Sequence, residues 1–310
     1  MYDCPIGCPY KTYSKFYDYY EDYDYADKWV SAALAGTNMS FSSGKHSPNN
    51  FALLGDRARL EAVQKGTVYL NVWMYVIREF EDAIDDCTSC TSDCNEHSTN
   101  SNSVHAWDEG VAFYTGSLEG TAYGGNGAGK LLYRLAEKRC ANFGTCEASG
   151  ARPSKVNTEL FKLFATGRDW LQQGKCSSVR PLVNEIVHQM TVPLVQGSLR
   201  YAYKNSNAAR GASPKNAAEG ATFSAAVLPL VHHCSGESAT IISGYLKFGL
   251  YPDGTTTADT ARYADFPAVK AALEGVYACL GITCAQVGGL QNRDTGDAYS
   301  GAEACTTVPP

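Results

Sequence analysis

The chain has 310 residues, of which 44% are hydrophobic and 19% are charged, a composition that is ordinary for a globular protein and excludes global disorder. Its formal net charge of −6 at pH 7 excludes a typical nucleic-acid-binding protein, which needs basic patches to neutralise phosphate. The acidic balance suits a cationic partner. No apolar run is long enough to predict a transmembrane helix.

Residues 1–27 contain eight tyrosines interleaved with acidic residues. Tyr17, Tyr20 and the Tyr23-Asp24 pair fall on one face if this segment is helical. Phenolate and carboxylate oxygens are hard ligands that suit ferric iron. Tyrosine rings also pack on a protein body while their hydroxyls stay in water, and this second interpretation is favoured.

Helical periodicity dominates the rest of the chain, whereas strand-like alternation is scarce. It predicts ten helices, over residues 27–34, 51–65, 68–86, 105–118, 130–141, 155–173, 179–203, 219–233, 239–250 and 266–280. Pro193 is expected to kink the long helix over residues 179–203. The predicted fold class is therefore all-α, a multi-helix bundle with disulfide-stapled loops.

Two sequence matches separated by 110 residues suggest an internal duplication. Residues 109–113 resemble residues 219–223, and Phe51 recurs as Phe161. Two duplicated four-helix halves would explain both matches. The predicted domains are a Tyr-rich segment that packs on the body at 1–45, a first helical half at 46–150, a second helical half at 151–290, and a C-terminal tail at 291–310.

The twelve cysteines are too many for an average cytosolic enzyme of this size. Most of them lie in polar loops, and their even number predicts up to six disulfides in an oxidising compartment. The alternative is zinc, because Cys87, Cys90 and Cys94 have metal-like spacing. A secreted or periplasmic location is expected, with the signal peptide already removed.

The helix predicted over residues 68–86 is buried on nearly all sides, yet it carries a polar stripe. Glu79 and Asp82 lie on this stripe beside Arg78, and buried charges must find partners. An internal salt-bridge network with Arg78 is one explanation. A metal ion bound by the two carboxylates is the other.

Carboxylates and imidazoles recur on three further helices. His105 and Glu109 stand four residues apart next to Asp108, although acidic residues at a helix N-terminus also complement the macrodipole. Glu185-x-x-His188 has the spacing used by diiron-carboxylate bundles, although the motif read alone is explained slightly better by a core histidine beside an exposed glutamate. The last candidate is Glu219, together with the His232-His233 pair on the same predicted helix. A helix cap and a solvated helix end would also explain these residues.

Together these residues predict a site of hard oxygen and nitrogen ligands for iron. The candidate metal ligands are Glu79, Asp82, His105, Asp108, Glu109, Glu185, His188 and Glu219. Such a site should weaken as imidazole, with a reference pKa of about 6.5, becomes protonated. No catalytic motif is recognised, and no other enzyme class than a ferroxidase has residue support.

The segment AWDEGVAFYTGSLEGT, with LNVWMYVIREFEDAIDDC before it and LLYRLAEKRCANFGTC after it, resembles the iron-assimilation proteins of green algae. These are periplasmic proteins induced by iron shortage or high CO2, and the similarity extends from about Tyr17 to Cys284. More remotely, the helical halves resemble imelysin-like bundles. The imelysin His-x-x-Glu motif has no clean copy here, because Asp108 follows His105 at that spacing and Glu185-x-x-His188 has the reverse order.

The resemblance implies a non-enzymatic extracellular protein that binds Fe3+ or Fe2+ and concentrates it for uptake. A cell-surface ferroxidase or a permease is then a candidate partner. Two other functions stay open at this point. One is a ferroxidase with a carboxylate/His diiron site, and the other is a metal-free secreted structural protein whose buried charges satisfy one another.

Overall fold

The computed structural model describes most of the chain, namely residues 11–41, 45, 49–53, 55–89, 103–118, 129–148, 151–209, 211, 213–248 and 264–306. Four of the twelve cysteines fall outside these ranges: Cys4, Cys8, Cys90 and Cys94. Residues 249 and 250 at the end of the predicted helix 239–250 lie outside them as well.

The described chain is built from helices, which confirms the predicted all-α class. They are α1 Lys11–Tyr20, α2 Tyr25–Ala35, α3 Asp56–Gly66, α4 Trp73–Ser89, α5 Ser103–Thr115, α6 Leu131–Phe143, α7 Lys155–Gln172, α8 Cys176–Lys204, α9 Pro214–Cys234, α10 Gly236–Leu246, α11 Phe266–Glu274 and α12 Cys284–Val287. Two short antiparallel strand pairs accompany them: β1 Asn38–Met39 with β2 Asn49–Asn50, and β3 Cys146–Ala148 with β4 Ala151–Ser154.

Local sequence signals set several helix starts. The side chains of four N-cap residues accept a hydrogen bond from the backbone N–H three residues further on: Ser154, Ser213, Ser235 and Asp265. At the start of α12, Thr283 and Gln286 form a reciprocal capping box. Each cap satisfies a backbone donor that the helix leaves unpaired.

The structure differs from the predicted helices in several places. In the predicted helix 51–65, Phe51–Leu53 form a separate 3-10 turn before α3. A π-helix, Thr67–Val72, precedes α4 in what was predicted as one α-helix. Residues 275–281 form turns after α11 instead of extending it to residue 280. α8 begins at Cys176 instead of residue 179 and continues through Pro193 to Lys204; the predicted kink at Pro193 stays a prediction.

The helices form two compact units that interleave along the chain. Unit 1 comprises Met1–Asn71, Asn142–Gly144 and Thr191–Pro310, and unit 2 comprises Val72–Ala141 and Thr145–Met190. This division differs from the consecutive halves predicted from the sequence echo. The echoed positions also differ in environment, because Phe51 is fully buried whereas Phe161 is 40% exposed.

Each unit has its own aromatic core. In unit 1, the buried Tyr20 stacks on Tyr25 with 4.8 Å between ring centroids and donates its hydroxyl hydrogen to the carbonyl oxygen of Ala225. Packing therefore accounts for the Tyr20 ring, as the favoured interpretation of the tyrosine-rich segment predicts, whereas its hydroxyl is buried instead of staying in water. In unit 2, Phe80 packs on Trp107 at 4.5 Å and on Phe164 at 5.5 Å.

Four disulfides confirm the predicted staples: Cys87–Cys176, Cys140–Cys146, Cys234–Cys279 and Cys284–Cys305. The alternative interpretation, a zinc site formed by Cys87, Cys90 and Cys94, is wrong for Cys87. The Cys87 sulfur is bonded to Cys176 and cannot serve as a thiolate ligand at the same time.

We expect the disulfide that closes the longer loop in unit 2 to contribute more stability. Its cysteines, Cys87 and Cys176, are 89 residues apart, whereas Cys140 and Cys146 are 6 apart. Chain entropy then gives about 4.6 kcal/mol for the first crosslink and about 2 kcal/mol for the second. Urea unfolding of the two double Cys→Ala variants measures both losses, and equal losses would contradict the entropic account.

Candidate metal centre

The candidate centre lies where α4 packs against α5 in unit 2. Gly110 makes the close approach possible, because a Cβ atom there would lie 2.7 Å from Cε1 of the buried Phe80 ring. Trp107 on the same helix donates its indole N–H to the carbonyl oxygen of Phe164 at 2.9 Å. Both contacts fix α5, and with it the polar side chains on its flank.

Five polar side chains gather along this helix pair: Arg78, Glu79, Asp82, His105 and Glu109. We call them the α4–α5 cluster. Arg78 Nη1 lies 2.9 Å from Glu79 Oε1 and 3.0 Å from Asp82 Oδ2. On α5, His105 Nε2 lies 3.2 Å from Glu109 Oε1. The cluster thus contains three carboxylates, one imidazole and one guanidinium, and the guanidinium contacts Glu79 and Asp82.

Glu79 is the buried member of the cluster. Its side chain is 1% exposed, and Oε2 makes no hydrogen bond of normal geometry within the described residues. Burial raises the pKa of Glu79, and Glu109 adds to the increase, whereas the nearby Tyr75 hydroxyl and Arg78 act in the opposite direction. The influence of Glu109 means that the carboxylates of the two helices are close enough to repel each other.

Asp86 extends the acidic stripe by one turn and was not predicted from the sequence. Its Oδ2 is also buried without a hydrogen-bond partner among the described residues. Burial raises its pKa, and repulsion from Asp82 and Asp85 contributes, against the attraction of Arg78. The sequence could have indicated this position, because residues 78, 82 and 86 are spaced four apart and therefore lie on one face of a helix.

The predicted ligand Asp108 lies apart from the cluster. It is exposed on α5, and its charge helps to raise the pKa of Arg168 on α7, where the hydrogen bond from Arg168 to Asp169 is the larger cause. Asp108 is therefore a surface residue with a cationic neighbour.

Glu185 and His188 form a pair of their own on α8. His188 Nδ1 lies 3.3 Å from Glu185 Oε2, and Gln189 donates to the other carboxylate oxygen at 2.8 Å. Both side chains are partly exposed, at 42% for Glu185 and 36% for His188.

The contacts of α8 with α4 place this pair on the wrong side to join the cluster. Arg180 pairs with Glu81, and Trp73 donates to the Met190 carbonyl oxygen. At about 100° per residue, Glu185 lies roughly opposite to this contact face of α8. By the same reasoning, Asp82 lies about 140° and Arg78 about 100° away from the corresponding face of α4, so neither side chain is on that face.

Glu219 belongs to unit 1 and to an ion-pair network. Its carboxylate lies 3.7 Å from the ammonium groups of Lys65 and Lys215, which also contact Glu61. Burial alone would raise the pKa of Glu61, but the two lysines outweigh it and lower that pKa. Each carboxylate of the network therefore has cationic partners.

Comparison with known proteins identifies the family of this chain. A family model described as the low iron-inducible periplasmic protein, Fea1, matches residues 26–309. The chain belongs to this family. No curated protein and no solved structure matches it.

The low iron-inducible periplasmic family agrees with the resemblance drawn from the sequence and with the four disulfides. It places the protein in the periplasm or outside the cell and is consistent with a role in iron assimilation. None of the helices in the described ranges is both long and apolar enough to cross a membrane.

The predicted ligands do not converge on one interior pocket. Four of the eight meet in the α4–α5 cluster, Glu185 and His188 pair on α8, and Asp108 and Glu219 lie elsewhere. Within the described parts of this Fea1-family chain, no three His, Cys, Asp or Glu side chains are arranged to hold a metal ion. Metal ligation by these residues stays a prediction, and the α4–α5 cluster is where it is best supported.

We expect Gly110→Ala to destabilise the protein by about 1–3 kcal/mol, because the added methyl group overpacks the Phe80 contact. Gly244→Ala is the matched control, since this exposed glycine of α10 has nothing within 4 Å of an added Cβ. Relief of the glycine entropy cost should make the control more stable by about 0.5–1 kcal/mol. Urea unfolding measures both variants, and a stabilised Gly110→Ala protein would rule out the close packing described above.

Proposed function

We propose that this low iron-inducible periplasmic protein binds iron as its cargo and concentrates it for uptake, without catalysing a reaction. The observation that supports the proposal best is the α4–α5 cluster. It combines a buried carboxylate that has an unsatisfied oxygen with two further carboxylates and an imidazole. A cell-surface ferroxidase or a permease would then receive the metal.

The chemistry of the cluster suits this cargo. Carboxylate oxygen and imidazole nitrogen are ligands that iron accepts in proteins. Burial makes the charged form of Glu79 costly, and a cation beside it would remove that cost. Arg78 now supplies the positive charge, so an iron ion would compete with its guanidinium for Glu79 and Asp82.

The ion pairs of Arg78 also support a second candidate, a metal-free secreted structural protein. In that case Arg78 alone would compensate Glu79 and Asp82, and the cluster would contribute only to stability. A ferroxidase would need two metal ions about 3.5–4 Å apart, and the structure offers no observation that favours it over simple binding.

A titration of Fe3+, added as a weak chelate, and of anaerobic Fe2+ tests the proposal by calorimetry. We expect Glu109→Gln to weaken iron binding by about tenfold or more, since removal of one ligand or its partner typically has that effect. Glu185→Gln is the matched control, because Glu185 is also a half-exposed glutamate paired with a histidine on a helix of unit 2. The control should bind iron as the unchanged protein does.

Two results would reject the proposed site. If the unchanged protein binds no iron in either oxidation state, the metal-free alternative is correct. If Glu109→Gln and Glu185→Gln weaken binding equally, iron is held elsewhere or by surface charge in general.

The raised pKa of Glu79 predicts how iron binding depends on pH. A proton competes with the metal for the carboxylate, so iron affinity should fall as pH decreases, beginning above the pH range in which an ordinary glutamate titrates. Glu79→Gln should bind iron more weakly and lose this part of the pH dependence. Calorimetric titration at a series of pH values measures both effects, and an unchanged pH profile would exclude Glu79 as a ligand.

Replacement of Glu79 should weaken iron binding, but it should not lower the stability of the folded protein at neutral pH. The pKa of Glu79 is raised in the folded protein, so the protonated carboxyl group favours folding below the unfolded pKa, and this contribution is lost as pH rises through the folded pKa. At neutral pH we therefore expect Glu79→Gln to unfold at an equal or higher urea concentration. A large loss of stability at neutral pH would show that the Arg78 ion pair outweighs burial.

A further inference from the structure

Tyr75 of α4 lies beside the α4–α5 cluster, and the iron-binding proposal gives it no role. It stands four residues before Glu79, so the two side chains lie on one face of the helix. Side chains of a helix lean toward its N-terminal end. The Glu79 carboxylate therefore leans toward the turn that carries Tyr75.

Ring contacts show which way Tyr75 faces. Its ring packs edge to face on the Phe113 ring of α5, with 4.8 Å between the centroids. The guanidinium carbon of Arg78 lies 5.9 Å from the centroid of the Tyr75 ring. These two neighbours restrict the orientation of the ring. Tyr75 is nevertheless 39% exposed, so an ion in solution can reach this side chain.

The aromatic contacts also give the register of the two helices. Tyr75 contacts Phe113, whereas Phe80, which comes five residues later on α4, packs at Gly110, which comes three residues earlier on α5. The helices are therefore antiparallel. The residue four positions after Tyr75 on α4 thus lies near the residue four positions before Phe113 on α5.

Those two positions are occupied by Glu79 and Glu109. The electrostatics of Tyr75 agree with this arrangement. A hydrogen-bonding interaction with Glu79 is the largest cause that raises the pKa of Tyr75, burial and the charges of Glu79 and Glu109 add to it, and Arg78 acts in the opposite direction. The phenol group therefore lies close enough to both carboxylates to be influenced by them.

A tyrosine oxygen would complete a ligand set that the cluster otherwise lacks. Among the described residues, no three His, Cys, Asp or Glu side chains are arranged to hold a metal ion. Tyrosine lies outside these four residue types and ligates iron in proteins, as in haem catalases. On the stripe that it shares with Tyr75, Glu79 has a buried oxygen without a hydrogen-bond partner in the described part of the chain.

We propose that Tyr75 is a ligand of the iron site and makes this site selective for Fe3+ over Fe2+. This inference rests on the iron-binding function proposed above. Ligation requires the phenolate, so the hydroxyl proton passes to the solvent when the metal binds. Fe3+ carries the higher charge and displaces this proton more readily than Fe2+ does. The hard phenolate oxygen then binds Fe3+ preferentially.

Visible absorption spectra test the ligand directly, because a phenolate bound to Fe3+ gives a charge-transfer band that carboxylates and imidazole do not give. We expect this band when the unchanged full chain is loaded with Fe3+ from a weak chelate. It should be absent from Tyr75→Phe, which keeps the ring and loses only the hydroxyl group. Tyr133→Phe is the matched control and should keep the band. Tyr133 is also a partly exposed tyrosine of unit 2, and its ring packs edge to face on Phe161 at 6.0 Å.

Calorimetry separates ligation from a merely structural role. Tyr75→Phe should weaken Fe3+ binding by about tenfold or more and leave the binding of anaerobic Fe2+ unchanged. Equal weakening for the two ions would assign Tyr75 a structural role and overturn the proposal. A charge-transfer band that Tyr75→Phe retains would overturn it as well.

Failure of this inference can be distinguished from failure of the proposed function. If Fe3+ binds without the band but Glu109→Gln still weakens the binding, Tyr75 is not a ligand and the α4–α5 cluster remains the iron site. If the unchanged protein binds no iron in either oxidation state, both proposals are wrong.

Discussion

The packing of α4 against α5 is the constraint on which the candidate metal centre depends. Gly110 admits the Phe80 ring, and Gly167 on α7 admits the Trp107 indole, since a Cβ at residue 167 would lie 2.0 Å from Trp107 Cζ2. Neither ring can move away, because both are fully buried. These apolar contacts set the rotation of the helices, and rotation decides which polar side chains of α4 face those of α5.

Most helices of the fold could be predicted from the sequence because their signals are local. Caps such as Ser154 and Asp265 mark the starts, and apolar periodicity marks the length. The π-helix before α4 has no comparable signal in residues 67–72, which read as an ordinary apolar helix. The cysteine pairing was equally beyond prediction, because Cys87 and Cys176 meet only through the tertiary arrangement of α4 and α8.

The candidate site could be predicted only within single helices. The sequence placed Glu79 and Asp82 on one stripe, and His105 and Glu109 on another, and the structure brings these stripes together. The sequence offered Glu185-x-x-His188 as a candidate because its spacing matches that of diiron-carboxylate bundles. Its orientation is decided by contacts elsewhere on α8, such as the Arg180–Glu81 ion pair, and no feature of the motif itself reveals which side of the helix faces α4.

The interpretation of the α4–α5 cluster depends on how far Arg78 compensates the charge of its carboxylates. A single guanidinium faces Glu79 and Asp82, with Glu109 and Asp86 close enough to affect the same carboxylates. If Arg78 compensated this charge fully, the pKa of the buried acids would be lowered, as the lysines around Glu61 lower its pKa. Instead the pKa values of Glu79 and Asp86 are raised, so burial and mutual repulsion exceed the attraction of Arg78. A cluster made only for stability would gain from a second cation, as Glu61 has. The buried Glu79 oxygen that has no hydrogen-bond partner in the described residues, on a carboxylate that shares Arg78 with Asp82, is the physical reason to expect a cationic ligand there.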